Sequence, residues 1–152
     1  GGGRAGMESF LGERLFGPAG MHSASVRFDD AGTFIGSSFV HATAHDFARF
    51  GELYRNDGVA ADGPPVLPSG WRDHGRERTA VDPESGFGYG AHWWLWPEFP
   101  GSFAAHGYEG QYTLVVPDRQ LVVVHLGKVA AELRPMLEAR LREIVESAGT
   151  GA

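Results

Sequence analysis

The hydrophobic pattern changes period along the chain, and its first regular stretch is helical. Over residues of about 6–16, Met7, Phe10, Leu11 and Leu15 recur at spacings of three and four with charges between them, which predicts an amphipathic helix. Gly17-Pro18 stops it. From Ala19 to about Val40 no period holds, Asp29-Asp30-Ala31-Gly32 marks a turn, and the segment reads as a long ordered loop. Thr43-Ala44-His45-Asp46 resembles a capping box with Asp in the place of Glu or Gln. The helix it opens sets Phe47, Phe50, Gly51 and Tyr54 on one face. It ends at Asn56-Asp57-Gly58, where glycine accepts the left-handed conformation. Asp62-Gly63-Pro64-Pro65 is a loop. Pro68-Ser69-Gly70-Trp71 then opens a short helix to about Arg78, with Ser69 as its cap.

After Ser85 the pattern becomes that of strands. Phe87 to Trp96 is aromatic-rich and reads as one strand. Ser102–His106 and Gln111–Val116 read as two more, joined across Gly107–Gly110. Pro117-Asp118-Arg119-Gln120 is a tight turn. The apolar run Leu121–Leu126 is expected of a strand buried on both faces. From about Ala131 to Ala148 the helical period returns, with Leu133, Met136, Leu137, Leu141, Ile144 and Val145 in one stripe. On the other face Glu138, Arg142 and Glu146 stand four apart. Pro135 belongs in the first turn, where its missing N–H costs little. The layout is α/β in the broad sense (α+β): helices and a loop, an antiparallel meander, then a helix long enough to lie on the sheet. So few strands need partners to close a core. The opening Gly1-Gly2-Gly3 reads as a loop or frayed end.

Composition narrows this picture. A chain of 152 residues is one domain or a piece of a larger one. The net charge of −6 and the scattering of the thirteen Lys and Arg argue against a nucleic-acid binder. The absence of Cys removes disulfides and thiolate metal sites but leaves the compartment undecided; any export signal would lie upstream. No apolar run approaches the roughly 18 residues of a membrane span.

Candidate chemistry concentrates in Ala105-His106-Gly107-Tyr108-Glu109-Gly110-Gln111, between two β-prone runs. Gly107 and Gly110 let a backbone come close to a ligand, or serve a turn. His106 offers a donor, although alternation along a strand points it to the face opposite Ala105. Trp93 and Trp94 point to opposite faces, so at most one of them lines a pocket. His41-x-x-x-His45-Asp46 is not read as a metal site, because His41 precedes the Thr43 cap and no HExxH is completed. Gly86-Phe87-Gly88-Tyr89-Gly90 enters an aromatic strand with no helix after it, so it is no nucleotide loop. No G-x-S-x-G elbow is present. No cofactor and no metal are expected.

Four stretches together resemble the serine β-lactamase superfamily: class C β-lactamases, D-alanyl-D-alanine carboxypeptidases, and related esterases and 6-aminohexanoate-dimer hydrolases. They are Leu15-Phe16-Gly17-Pro18-Ala19-Gly20-Met21; Ala42–Gly51 with Leu53–Gly58; Val66-Leu67-Pro68-Ser69-Gly70-Trp71; and Gly88-Tyr89-Gly90 with Trp93-Trp94, followed by His106–Gln111. The likeness runs from about Gly6 to Lys128 and leans toward the esterase and amide-hydrolase branch. It implies an acyl-serine mechanism, in which a Ser of S-x-x-K attacks a carbonyl while Lys and the Tyr of Y-x-N move protons. Neither motif is credited here. The only Lys is Lys128, with no Ser three before it. Tyr54-Arg55-Asn56 spells Y-x-N, but Tyr54 lies on an apolar helical stripe.

The resemblance places the family's third motif on Ala105, His106 and Gly107. Ala105 supplies no cation for a substrate carboxylate, which favours neutral ester or amide substrates. The backbone N–H of Tyr108 is implied to be half of the oxyanion hole, and Trp93, Trp94, Tyr108 and Gly110 the substrate-binding wall. The chain is therefore expected to be the C-terminal portion of a β-lactamase/transpeptidase-like fold. Residues 1–85 would end the helical subdomain, and 86–152 would form the closing meander and helix. Its partner would be the missing N-terminal half of the same hydrolase, or a second copy, and alone it is expected to be inactive. The alternative is a non-catalytic, penicillin-recognising-type binding or interaction domain.

Overall fold

The computed structural model describes residues 2–61 and 63–148. Gly1 of the opening run, Asp62 of the expected loop and residues 149–152 lie outside them. The first helix, α1 (Gly3–Leu11), passes without a break into a π-helical turn, Gly12–Phe16. There the Gly17 N–H reaches the Gly12 carbonyl at 2.9 Å. The expected loop over 19–40 is in fact a small hairpin. β1 (Ser25–Val26) pairs antiparallel with β2 (Val40–His41), and a Phe28–Phe34 bridge lies inside it. Two-residue strands are too short to leave a period in the sequence. The Asp29 turn does form, with the Thr33 N–H donating to Asp29 Oδ1 at 2.7 Å.

Helix α2 (Ala44–Arg55) is capped by Thr43, whose Oγ1 accepts the Asp46 N–H at 3.3 Å. The reciprocal half of a capping box is absent, and Ser23 takes its place. The Thr43 N–H donates to Ser23 Oγ (2.9 Å), while Asp46 Oδ2 accepts the Ser23 hydroxyl (2.6 Å) and amide (2.7 Å). Arg49 Nη1 donates to Asp46 Oδ1 at 2.8 Å. Asp46 is only 3% exposed, so these bonds replace its lost hydration. The Ser23 hydroxyl, the Ser23 amide and the Arg49 guanidinium hold its carboxyl below the ordinary 3.8.

α2 buries two sides. Phe50 and Tyr54 pack with Trp93, Phe103, Val115 and Val122 of the sheet. Leu53 turns the other way, into a cluster with Ala19 and Met21 that Leu15, Phe16 and Leu67 line. The helix lies this close to the sheet because residue 51 is glycine: a Cβ there would meet Val122 Cγ1 at 2.5 Å. Helix α3 (Trp71–Arg76) begins after Gly70 in the left-handed conformation (φ 79°), and not on a Ser69 cap. Asp57 has drawn the Ser69 hydroxyl to itself, at 3.3 Å.

Six antiparallel strands follow in chain order across one sheet: β3 (Ala80–Val81), β4 (Gly88–Tyr89), β5 (Trp94–Leu95), β6 (Phe103–His106), β7 (Tyr112–Val116) and β8 (Leu121–His125). The aromatic run 87–96 is thus two strands that fold back on each other, with His92 taking φ 71° in the turn. β3 was not expected, and the division anticipated at residues 85/86 falls between β3 and β4, inside one hairpin. The strand with every residue buried is β7, not β8. β8 is half-buried at the sheet edge, with α2 on one face and α4 on the other. Helix α4 (Arg134–Ala148) buries Leu141 and Val145 against Leu114, Tyr112 and Val116. Leu133, Met136 and Ile144 of the expected stripe stay exposed. Among the described residues no helix is long and apolar enough to cross a membrane.

Removing the Asp46 carboxylate strands Ser23 and Arg49. Asp46→Ala is expected to cost about 1.5–3 kcal/mol in urea denaturation at pH 7. Because the folded value is depressed, the advantage over Asp46→Asn is complete well above 3.8 and disappears as pH falls through the folded value. An unchanged denaturation midpoint for both variants at pH 7 would show that Asp46 does not pin the loop.

Candidate active site

The register of β6 on β7 pairs Ala105 with Thr113 and His106 with Tyr112. The Gly107 N–H closes the ladder on the Gln111 carbonyl at 2.7 Å. The Gly110 N–H donates to Gly107 O at 3.2 Å, which makes 107–110 a four-residue turn. Gly107 is there because a Cβ would stand 2.5 Å from Gln111 Oε1. That oxygen accepts the Glu109 N–H (3.3 Å), while Gln111 Nε2 donates to Gly127 O (3.3 Å). The segment after β8 ties the turn down further. The Val129 N–H donates to Glu109 O (2.8 Å), His125 Nδ1 bonds the Gly110 carbonyl (2.9 Å), and Lys128 pairs with Glu109. Arg134 Nη2 donates to the Tyr108 carbonyl.

Within this braced turn the Tyr108 N–H has no hydrogen-bond partner among the described residues. Ladder groups alternate in direction. With Gly107 bonded to β7, the next amide faces the β5 side. β5 reaches only Phe103 and Ala104, so no strand stands beside Tyr108. The Tyr108 side chain is 91% exposed.

The two faces of β6 separate the other expected residues. Ala105 lies on the α2 face with Trp93 and Phe103. His106 lies on the α4 face, stacked on Trp94 (5.3 Å between centroids, 12° between planes) and set edge-to-face with Tyr112 (4.6 Å) and Phe87 (5.4 Å). The Trp96 indole N–H donates to His106 Nε2 at 3.0 Å. Burial, and then the charge of Arg134, push the His106 imidazole down to about 3. At neutral pH the ring is therefore uncharged, with Nε2 accepting and the proton on Nδ1. Such a ring orients its neighbours and holds no free basic lone pair.

Trp93 is enclosed by Phe50, Tyr54 and Phe103 under α2. The Tyr54 of the Y-x-N lookalike packs there with it. Trp94 is half-buried between His106 and Tyr89. The structure thus gathers His106, Gly107, Tyr108 and Gly110 at one end of β6, sets Trp94 beside His106, and keeps Trp93 on the far face. A cleft of about 720 Å³, lined by Arg76, Glu77, Gly101 and Ser102 among others, opens at the opposite end of the strand. At about 3.3 Å per residue, that is roughly 20 Å from the turn. Arg134 at the turn has no motif to betray it, since it reads as the start of a helix.

Residues 2–145 match the family model for Beta-lactamase. The chain belongs to the Beta-lactamase family. A solved structure described as "Putative 6-aminohexanoate-dimer hydrolase from Bacillus anthracis" superposes with a TM-score of 0.77 at 27% identity, covering 90% of this chain and 37% of that one. A second, described as "Crystal structure of putative beta-lactamase from Bacteroides dorei DSM 17855", gives 0.62 at 16% identity over 91% of this chain and 51% of that one, a likeness of fold. The chain therefore spans about a third to a half of the length of these Beta-lactamase-like structures. No curated protein matches it.

His106 gives a pH signature. The unfolded chain protonates this residue near 6.5, and the folded chain only near 3. Between those values the unfolded state holds the extra proton, so stability rises with pH by up to about 1.4 kcal/mol per unit and is lost on acidification. Urea midpoints measured across this range should lose that slope in His106→Phe. A His106 proton resonance titrating near 6.5 in the folded chain would contradict the assignment.

Proposed function

We propose that this chain supplies the oxyanion-binding strand of an acyl-serine hydrolase acting on ester, amide or β-lactam bonds. The observation that carries the proposal is the Tyr108 N–H, unpaired in a turn that every neighbouring group braces. When a serine hydroxyl adds to a carbonyl carbon, the carbonyl oxygen takes the negative charge. A fixed amide aimed at that oxygen stabilises it with little reorganisation, and one such donor is worth roughly 2.7–4 kcal/mol. The second donor is the nucleophile's own N–H. No S-x-x-K occurs in these 152 residues, so the attacking hydroxyl belongs to polypeptide outside them. Kinship with a protein described as a 6-aminohexanoate-dimer hydrolase supports the hydrolytic reading.

Proline at 108 tests the amide alone. It is favoured at the second position of such a turn and deletes the N–H. In the hydrolase containing these residues, Tyr108→Pro is expected to lower kcat by about 10²–10³-fold, and Tyr108→Ala to leave it nearly intact. Equal activity of the two variants would exclude the oxyanion role of this amide.

The isolated chain should also resist a fluorophosphonate probe, read by intact mass. A covalent adduct on it would place the nucleophile within these residues after all.

A further inference from the structure

We propose that Gln111 is a positioning residue for acyl transfer: its side-chain amide decides that Tyr108, and not Glu109, presents the free N–H, and it holds that N–H in place. This rests on the reading of Tyr108 given above and adds the group through which the amide is set.

The turn has four amides, and Gln111 takes two of them. The Gly107 N–H donates to its backbone carbonyl (2.7 Å), and the Glu109 N–H to its side-chain Oε1 (3.3 Å). The Gly110 N–H closes on the Gly107 carbonyl (3.2 Å), which leaves Tyr108. The other braces act on carbonyls: Arg134 holds that of Tyr108, Val129 that of Glu109, and His125 that of Gly110. Such contacts steady the turn without choosing which donor stays open. The ion pair of Lys128 with Glu109 is solvent-exposed and adds little.

Gln111 also touches the chain on both sides of residue 108. Before it, Gln111 Oε1 and Cβ stand 2.5 and 2.8 Å from where a Cβ on residue 107 would be, so the side chain lies flat on Gly107. After it, Oε1 holds the Glu109 N–H, which shares a peptide plane with the Tyr108 carbonyl. That plane is gripped at both ends, by Gln111 on the N–H and by Arg134 on the oxygen. The neighbours dictate how the Gln111 amide is turned. The Glu109 donor requires its oxygen, and the Gly127 carbonyl requires its NH2, at 3.3 Å. Neither a carboxylate nor an aliphatic chain serves both ends.

Without these bonds the Glu109 N–H becomes a second open donor, and its peptide plane is held at one end only. The developing oxyanion then meets an amide that must be ordered during the reaction. That penalty falls on the transition state rather than on substrate binding.

A double-mutant cycle in the hydrolase containing these residues tests the assignment. Gln111→Leu fills nearly the same space without either side-chain hydrogen bond. It should lower kcat about tenfold with KM nearly unchanged. In a Tyr108→Pro background it should cause no further loss, since the amide it sets is already gone. The same loss in both backgrounds, or a raised KM with kcat intact, would overturn the positioning role. The two readings fail separately. Full turnover in Tyr108→Pro would remove the oxyanion reading, whereas a slow Tyr108→Pro beside a fully active Gln111→Leu would remove this one alone. Amide hydrogen exchange in the same protein gives a second readout, free of turnover. Glu109 should exchange about tenfold faster in Gln111→Leu, while Leu114 and Val115 within β7 keep their wild-type rates. Gln111→Glu retains an acceptor for Glu109 and should retain its protection. Equal Glu109 rates in wild type and Gln111→Leu, or as large a loss of protection in Gln111→Glu, would overturn the assignment.

Discussion

The bond from the Gly107 amide to the Gln111 carbonyl governs the chemistry of this end of the sheet. It fixes the parity of β6. With residue 107 bonded to β7, Ala105 must look toward α2, His106 toward α4, and the Tyr108 amide away from the ladder. A slip of one residue would exchange every one of these roles, because the side-chain period of a strand is two. The glycine is needed for the bond, since the Gln111 side chain occupies the space a Cβ would take. That side chain then satisfies the Glu109 amide, so the turn is left with one open donor rather than two.

Two charged or polar groups near that donor are handled in opposite ways. His106 is desolvated among aromatic rings, accepts from Trp96, and stays neutral. Arg134, a guanidinium cation, holds the Tyr108 carbonyl and lies over the Tyr108 ring. The sheet thus presents a neutral, rigid underside and a cationic rim. Burial, rather than pairing with an acid, separates the two behaviours.

Much of this fold is legible in the sequence. The helical stripes through Met7–Leu15 and Phe50–Tyr54, and the meander from Ser102 to His125, all correspond to elements in the structure. The period fails where elements are two residues long, as in the hairpin of Ser25 and His41, in β3, and in the split of the aromatic run at His92. Leu121–Leu126 reads as a central strand because its composition is uniformly apolar. Its edge position depends on which strand lies next to it, which no local pattern encodes. Ser69 looks like a cap only until Asp57, brought near by the fold, competes for its hydroxyl. At the site, glycine spacing announces the turn. Arg134 is silent in the sequence because its role depends on a helix start being delivered to a distant loop.

Helix α2 has consequences beyond positioning. Leu53 belongs to the cluster with Ala19 and Met21, Tyr54 packs on the one with Trp93 and Phe103, and Phe50 packs against both. A single rigid rod therefore serves as the shared wall of two apolar cores. Neither core can open without exposing the back of the other, and so the helical layer and the sheet should lose their order as one cooperative unit.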